Sequence, residues 1–462
     1  MNKNFLVIFL AFSIVITLLL TAGPISADST TTVTVEVKDS QGNPLSGVKI
    51  WYKGGPISPG TWFVFGYTGV DGRVSKDLPS GYTYNFRAEY ANTMAMKSQY
   101  VDDEPITVEF QTSKITVRLE SSEGIGLKGG NVKYRGSISP GTWVTFGTTG
   151  DDGEVSRELF PGTYWFSIEY RQTYTEKQQD VGSDPTVVFR TTRVTLWFSG
   201  SIQYWGYPSA GTLFTFTKPS MEMLPGTIKF RFAGKADLSI DVGGNSIEKS
   251  IIIAKLLDHR GRGLAGGVAK YAPGGTWYYL GTTDSRGIII KAFDGKLGYV
   301  KVRMTYNQGS REKIQYVPTN SIYTFQTAEV IIKVIDHEGN PIEGARVDQG
   351  GGYWQFHGYT DENGELRLEI FLPGTYKFRV TYSHTSQTKW AYITSISPEV
   401  VFQTGMVHWT GVYPKPIKAS LGGTWVAFTQ DMELLPGTYK FVFEDGSTQW
   451  VTVTAGEVTN IP

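Results

Sequence analysis

The chain has 462 residues, too many for one hydrophobic core, and its 54 glycines, 21 prolines and 14% aromatics go with turn-rich β modules rather than helices. Lys plus Arg equals Asp plus Glu at 43 each, so no sequence-wide field draws it to nucleic acid or to an anionic membrane. Cysteine is absent, so an exported form must be held by core packing and strand pairing alone.

In chain order, Lys3 precedes an apolar run over residues 5–20, and small residues follow up to Ile25-Ser26-Ala27. The pattern reads as a signal peptide (residues 1–27) cleaved near Ala27, which leaves no membrane span; the competing reading is an uncleaved anchor. Residues 28–113 form a first long module. Val33, Val35 and Val37 alternate with polar residues as a half-buried strand, and the turn Asp39-Ser40-Gln41-Gly42-Asn43-Pro44 follows. Gly60-Thr61-Trp62, the turn Val70-Asp71-Gly72 and a closing strand ending Phe110-Gln111-Thr112 complete it. Residues 114–192 repeat this order, with Gly141-Thr142-Trp143, Asp151-Asp152-Gly153-Glu154 and Pro161-Gly162-Thr163-Tyr164.

Residues 193–249 form a short module without the Asp-x-x-Gly-x-Pro turn but with Gly211-Thr212-Leu213 and Leu224-Pro225-Gly226-Thr227. Long modules return at 250–327 and 328–404, and a short one at 405–462. The order long, long, short occurs twice, as though a block of modules had been duplicated. Ser113-Lys114, Ala328-Glu329 and Gly405 are brief links, so the expected architecture is all-β: a tandem array of about six small β-sandwiches forming a stiff, elongated rod.

Val334 to Ala345 of the fifth module (Val-Ile-Asp-His-Glu-Gly-Asn-Pro-Ile-Glu-Gly-Ala), then Thr360-Asp361-Glu362-Asn363-Gly364-Glu365, then Leu372-Pro373-Gly374-Thr375-Tyr376, carry a resemblance. The pattern resembles the carboxypeptidase-regulatory-like modules, prealbumin-like or Ig-like sandwiches found in prokaryotic secreted surface proteins. It is also similar to the pilin B-type modules of Gram-positive surface proteins. The resemblance implies sandwich modules used as spacers, stalks or adhesive units. Pilin modules that form Lys–Asn isopeptide bonds carry a buried Glu beyond the corner tyrosine. Here that place holds Ala88, Ile168, Val380 or Phe443, while Glu89 and Glu169 fall one residue later on the outward face, so no such bond is expected. In the fourth module Leu297-Gly298-Tyr299-Val300 replaces Pro-Gly-Thr-Tyr, which removes any tyrosine-corner hydrogen bond there.

Candidate chemistry is sparse. His259, His337, His357, His384 and His408 all lie in the second half, and His259 and His337 sit in equivalent Asp-His-x-Gly turns. They read as polar turn residues rather than as metal ligands or bases. The acidic turns at residues 151–154 and 361–365 read as hairpin chemistry rather than calcium loops. No motif nominates a nucleophile, a metal or a cofactor, and a non-enzymatic protein is expected.

The candidate ligand-contact residues are Trp62, Trp143, Trp277, Trp354 and Trp425, four of them in Gly-Thr-Trp strands. The residues one and three beyond each Trp (Phe63/Phe65, Val144/Phe146, Tyr278/Leu280, Val426/Phe428) read as the core face, with Phe214/Phe216 in the Leu213 copy. Each Trp then lies on the opposite face, available for stacking on sugars or on a protein. Alternatively, each Trp covers a sheet edge or packs into the next module. The fifth module, with Trp354 and Phe356 against Gln355 and His357, departs from the pattern as an inverted or bulged strand.

The expected role is a secreted, cell-surface structural or adhesive repeat protein: a stalk, surface-layer element or filament subunit. The alternative is a carbohydrate-binding surface protein using the repeated tryptophans. Expected partners are further copies, joined by strand addition through unpaired terminal strands at 28–37 or 449–462, or a surface glycan or protein, and no nucleic acid.

Overall fold

In the computed structural model, which describes residues 29–56, 58–207, 211–394 and 398–462, every regular element is a β-strand. The signal-peptide reading of residues 1–27 lies outside the described residues. Among the described residues no helix is long and apolar enough to cross a membrane.

The first sandwich sets the plan. Its seven strands are β1 (Thr30–Lys38), β2 (Lys49–Gly54), β3 (Ser58–Tyr67), β4 (Arg73–Pro79), β5 (Tyr82–Tyr90), β6 (Thr93–Val101) and β7 (Ile106–Gln111). One sheet has the order β4-β1-β7 and the other β3-β2-β5-β6. Side chains alternate along each strand, so Val33, Val35 and Val37 from one sheet meet Tyr84, Phe86 and Ala88 from the other in a single core. Ala88 and its counterparts Ile168, Val380 and Phe443 are buried, and Glu89 pairs on the outer face with Arg87.

The same pairing of a three-stranded with a four-stranded sheet recurs along the chain. The third and sixth sandwiches also have seven strands, so the short modules are complete sandwiches. They lack only the first turn, which in the long ones closes a bridge at Lys38–Pro44, Glu120–Gly126, Leu257–Gly263 and Ile335–Pro341. That turn presses on the following hairpin at Gly72, Gly153, Gly287 and Gly364. All four have positive φ, and a Cβ there would lie 2.2–2.7 Å from a backbone carbonyl oxygen.

Between the third and fourth sandwiches there is no link. The strand Ser246–Leu257 pairs first in parallel with Arg193–Trp197, then with Ile288–Asp294 and Ile322–Gln326, so the change of module at 249/250 falls inside one strand. Its faces are divided: Ile251 and Ile253 enter the third core, and Ile252, Ala254 and Leu256 enter the fourth.

The tyrosine of the Pro-Gly-Thr-Tyr stretch points inward and caps its own turn. Tyr84 donates to the Pro79 carbonyl at 3.0 Å, Tyr164 to Phe160 at 2.9 Å, Tyr439 to Leu435 at 2.6 Å, and Tyr376 to Phe371. In the fourth sandwich Tyr299 is exposed, and the buried Tyr323 from another strand donates to the Val300 carbonyl at 2.9 Å instead.

Two expectations need correction. The first strand is not free for strand addition, because Thr30–Lys38 is the centre of its sheet, paired on both sides. Open edges do exist at the chain's other end, where Thr448–Val453 and Val458–Ile461 each have one paired neighbour. Second, of the two residues assigned to the core beyond each Trp, only the one three positions on is buried in every copy (Phe65, Phe146, Phe216, Leu280, Phe428). Phe63 and Tyr278 are half exposed, and Val144, Phe214 and Val426 are partly buried. In the first sandwich a β-bulge lies at this place: Ile50 pairs with Gly66 and Trp51 with Val64, leaving Phe65 extra and turned into the core. The same bulge falls at Phe146, Leu280 and His357, so the fifth sandwich is bulged like the other long ones. It differs in carrying a histidine where the others carry an apolar core side chain.

Candidate functional site: joints and outer tryptophans

Four junctions are built alike, each from a plug, a clasp and a seated hairpin. The plug is an apolar residue one or two places before the proline of the Pro-Gly turn. Phe160 belongs by sequence to the second sandwich but fills the core of the first, its ring 6.2 Å from that of Phe110. Leu224, Phe371 and Leu435 likewise enter the cores of the second, fourth and fifth sandwiches. Three plugs are fixed by a backbone N–H donated to a threonine hydroxyl of the receiving sandwich: Phe160 to Thr93 (3.1 Å), Leu224 to Thr173 (2.9 Å) and Leu435 to Thr385 (3.0 Å). At the Phe371 junction the threonine is replaced by Gly309, where a Cβ would lie 2.9 Å from the Tyr376 hydroxyl. There Arg311 donates to the Leu372 carbonyl at 3.1 Å and Asn307 to that of Glu369 at 2.8 Å.

The clasp is a glutamate two residues before the plug. Glu158 accepts from the backbone N–H (3.2 Å) and hydroxyl of Ser40 and from the hydroxyl of Thr112. Glu222 does the same with Ser122, at 3.2 and 2.7 Å, and with Thr191. In the second half a histidine stands where the serine was. His259 Nδ1 and N–H meet Glu369, His337 Nδ1 meets Glu433, and Thr327 and Thr404 complete the two clasps. Arg260 donates to His259 Nε2 at 2.9 Å, so Nδ1 carries the proton facing Glu369. Thr112, Thr191, Thr327 and Thr404 are buried, and each is the single residue between the last strand of one sandwich and the first strand of the next.

The hairpin between the fifth and sixth strands of each receiving sandwich ends in two residues with positive φ: Ala91-Asn92, Arg171-Gln172, Asn307-Gln308 and Ser383-His384. It rests on a glycine of the next sandwich. A Cβ on Gly136 would lie 2.0 Å from the Asn92 carbonyl oxygen, one on Gly422 2.5 Å from that of His384, and one on Gly351 1.7 Å from Gln308 Oε1. At Gly206 the nearest atom of the hairpin tip is Gln172 Cβ, at 2.8 Å. Tyr134 and Tyr204 bond the tip carbonyls of Ala91 and Arg171, the latter at 2.8 Å.

The tryptophans of the Gly-Thr-Trp strands lie on the outer face of the four-stranded sheets, under cations of neighbouring strands. Arg87 sits 4.9 Å from the Trp62 ring centre, Arg135 4.2 Å from Trp143, Arg303 4.3 Å from Trp277, Arg379 4.3 Å from Trp354 and Lys418 5.0 Å from Trp425. Trp62, Trp143, Trp277 and Trp354 are partly buried by this stacking; Trp425 is 50% exposed. In the third sandwich, whose equivalent residue is Leu213, Trp205 lies across the ladder from it and takes Lys229 and Arg231, both at 4.4 Å. The most open tryptophans among the described residues are elsewhere. Trp390 and Trp450 are 68% and 67% exposed, each opposite a lysine in register, Lys377 and Lys440. Sequence reading passed over Trp205, Trp390 and Trp450 because they lie outside the repeated tripeptide.

Asp258, His259 and Glu369 bring three potential metal ligands within 4.8 Å of one another. Their atoms are already engaged: Asp258 accepts the N–H groups of Arg260 (2.9 Å) and Arg262 (2.7 Å), and Glu369 belongs to the clasp. The acidic turns behave as hairpins, with Asp152 accepting Glu154 N–H and Asp361 accepting those of Asn363 and Glu365, all at 2.9 Å. His384 is a hairpin tip, and His408 pairs with Asp431.

No family model and no curated protein matches the sequence. Among solved structures the chain is similar to the TIE protein of Bacillus anthracis at 11% identity, over 87% of this chain and 78% of that one, with a TM-score of 0.17. It is similar to BcpA, the major pilin subunit of Bacillus cereus, at 9% identity over 80% and 98% of the two chains, with a TM-score of 0.18. A third is the shaft pilin SpaA of Lactobacillus rhamnosus GG, at 15% identity over 35% and 96%, also with a TM-score of 0.18. At these TM-scores the likenesses carry no argument, and the assignment of an all-β tandem array of sandwiches rests on the strand pairing itself.

Proposed function

We propose that this chain is a secreted, non-enzymatic structural or adhesive protein of the cell surface, a stiff, elongated stalk, surface-layer element or filament subunit. The observation that carries the reading is the joint itself. The plug, the clasp and the seated hairpin recur at four junctions, and the remaining junction is crossed by one continuous strand. Sandwiches tethered loosely for independent binding do not need such joints; a buried apolar plug contributes about 1.5–3 kcal/mol and resists bending at every step. The open edges at Thr448–Val453 and Val458–Ile461 offer a place for a further copy by strand addition. Electron microscopy and light scattering on the chain without residues 1–27 test this. Extended particles that lengthen with concentration are expected of a filament subunit, extended monomers of a stalk, and compact particles contradict both.

A second reading, a carbohydrate-contacting face, is favoured by the exposed Trp390 and Trp450, with the half-exposed Trp425, in the last two sandwiches. Trp62, Trp143, Trp277 and Trp354 count less, since stacked cations leave them partly buried. A glycan array read with Trp390→Ala and Trp450→Ala separates this role from a purely structural one.

A further inference from the structure

The junction that lacks the common joint opens onto a cleft. The third sandwich and the fourth meet around the strand Ser246–Leu257, and beside it lies a cavity of about 570 Å³ lined by Arg231, Lys235, Lys255 and Arg286, with glycine backbone at Gly234 and Gly261. None of its lining residues is acidic, in a chain whose formal charge is zero. The joint glutamate is missing too: the strand pairing puts Ala292 opposite Ile251, where the fifth sandwich pairs Glu369 with Glu329.

Two of the four cations are neutralised at the rim. Arg231 is paired with Asp237 at 2.9 Å and Arg286 with Asp284 at 3.0 Å, and Arg286 also reaches across the cleft to the Lys235 carbonyl at 2.9 Å. Lys235 and Lys255 have no ion pair among the described residues. Lys255 is the telling one. On its face of the strand, Ile251 and Ile253 are buried in the third core, its antiparallel partner is the buried Ile288, and Leu257 follows. It stands at the outward place that holds Glu36, Arg118 and Lys333 in the other long sandwiches, partly buried here beside the third core, and no counter-charge meets it among the described residues.

We propose that this cleft is a binding site for a multiply charged oxyanion of the phosphate type, held by Lys235 and Lys255 with the Arg231 and Arg286 guanidiniums at its sides. Two ammoniums without ion pairs ask for at least two negative charges, and the clustering of four cations concentrates the field of the cleft on such a ligand. The inference does not depend on the assembly proposed above.

Calorimetry on the chain without residues 1–27 tests it, with tripolyphosphate and, separately, polyglutamate as probes at low and high salt. Tripolyphosphate is expected to bind, to weaken as salt rises, and to lose roughly tenfold or more in affinity in Lys255→Gln and again in Lys235→Gln, as for loss of a close charge pair. Lys128→Gln, at an exposed site in the second sandwich, should change nothing. Lys255→Met supplies a second readout: it is expected to abolish binding while leaving the melting temperature of the unliganded protein near that of the parent. The proposal is overturned if tripolyphosphate does not bind at low salt, if only polyglutamate binds, if binding survives both glutamine variants, or if Lys255→Met binds as tightly as the parent.

Discussion

The backbone N–H of Phe160 donates to the hydroxyl of Thr93 at 3.1 Å, a bond between two sandwiches that fixes the ring of Phe160 in a core its own sheets do not build. The Thr93 hydroxyl in turn donates to the Tyr90 carbonyl at 2.8 Å, so one side chain ties the hairpin tip of the first sandwich to the entry turn of the second. Each sandwich with such a neighbour is completed by it, and the stability of one is coupled to its contact with the next.

Phe160→Ala removes a fully buried ring and is expected to destabilise the first sandwich by about 3–5 kcal/mol, while the fourth to sixth keep their stability. Gly136→Ala, which places a methyl 2.0 Å from the Asn92 carbonyl oxygen, attacks the same junction without touching either core. Hydrogen exchange resolved along the chain checks both. Increased exchange is predicted across residues 29–112 for Phe160→Ala and around residues 90–94 and 134–138 for Gly136→Ala.

Glu369→Gln keeps the size of the clasp but gives up the charge that gathers His259 and Thr327. A cost of about 1–2 kcal/mol is expected, local to the junction, since hydrogen bonds to a charged acceptor are replaced by neutral ones. Faster exchange of the His259 amide, with the core amides of the fifth sandwich unchanged, is the predicted signature.

His357 occupies the bulge position that holds Phe65, Phe146 and Leu280 in the other long sandwiches. Burial pushes its pKa down, against a smaller upward pull from Asp348, and its Nε2 has no hydrogen-bond partner. Because the folded state binds this proton less readily than the unfolded chain, stability is full above about pH 6.5 and falls as pH drops below it. His357→Phe should therefore narrow the difference in melting temperature between about pH 7.5 and about pH 5. An unchanged difference would contradict this origin of acid sensitivity.

Trp277→Ala and Trp390→Ala separate covered from open tryptophans. The first loses stacking with Arg303 and partly buried area and is expected to lower the melting temperature by a few degrees, at about 1 kcal/mol or more. The second, 68% exposed, should leave it unchanged. Differential scanning calorimetry reads both.

Much of the fold was legible because strand periodicity and Pro-Gly turns are local signals. Tyr376, Phe378 and Val380 are buried as their alternation predicts, and Ala88 and Ile168 take the inward places that the one-residue offset of Glu89 and Glu169 implied. The joints were not read, although their pattern is in the sequence: Glu158-Leu159-Phe160, Glu222-Met223-Leu224, Glu369-Ile370-Phe371 and Glu433-Leu434-Leu435 all precede a Pro-Gly turn. Alternation says that Phe160 is apolar and turned from solvent; it does not say that the core receiving it belongs to the neighbour. His259 and His337 read as turn residues, and they are, but the carboxylates they meet lie 110 and 96 residues further along. The bulge at Phe65 was hidden for a related reason, since one extra residue leaves no mark in a run as apolar as Trp62-Phe63-Val64-Phe65.

Small-angle X-ray scattering on the chain without residues 1–27 tests the central claim, that the joints hold the sandwiches in a stiff, extended line. A single compact body of this length would have a radius of gyration of about 22 Å. The account predicts a value well above that, with the scattering of a rigid rod in the parent chain and added flexibility in a Phe160→Ala, Phe371→Ala double variant. A radius near the compact value, or a parent chain as flexible as the double variant, would contradict it.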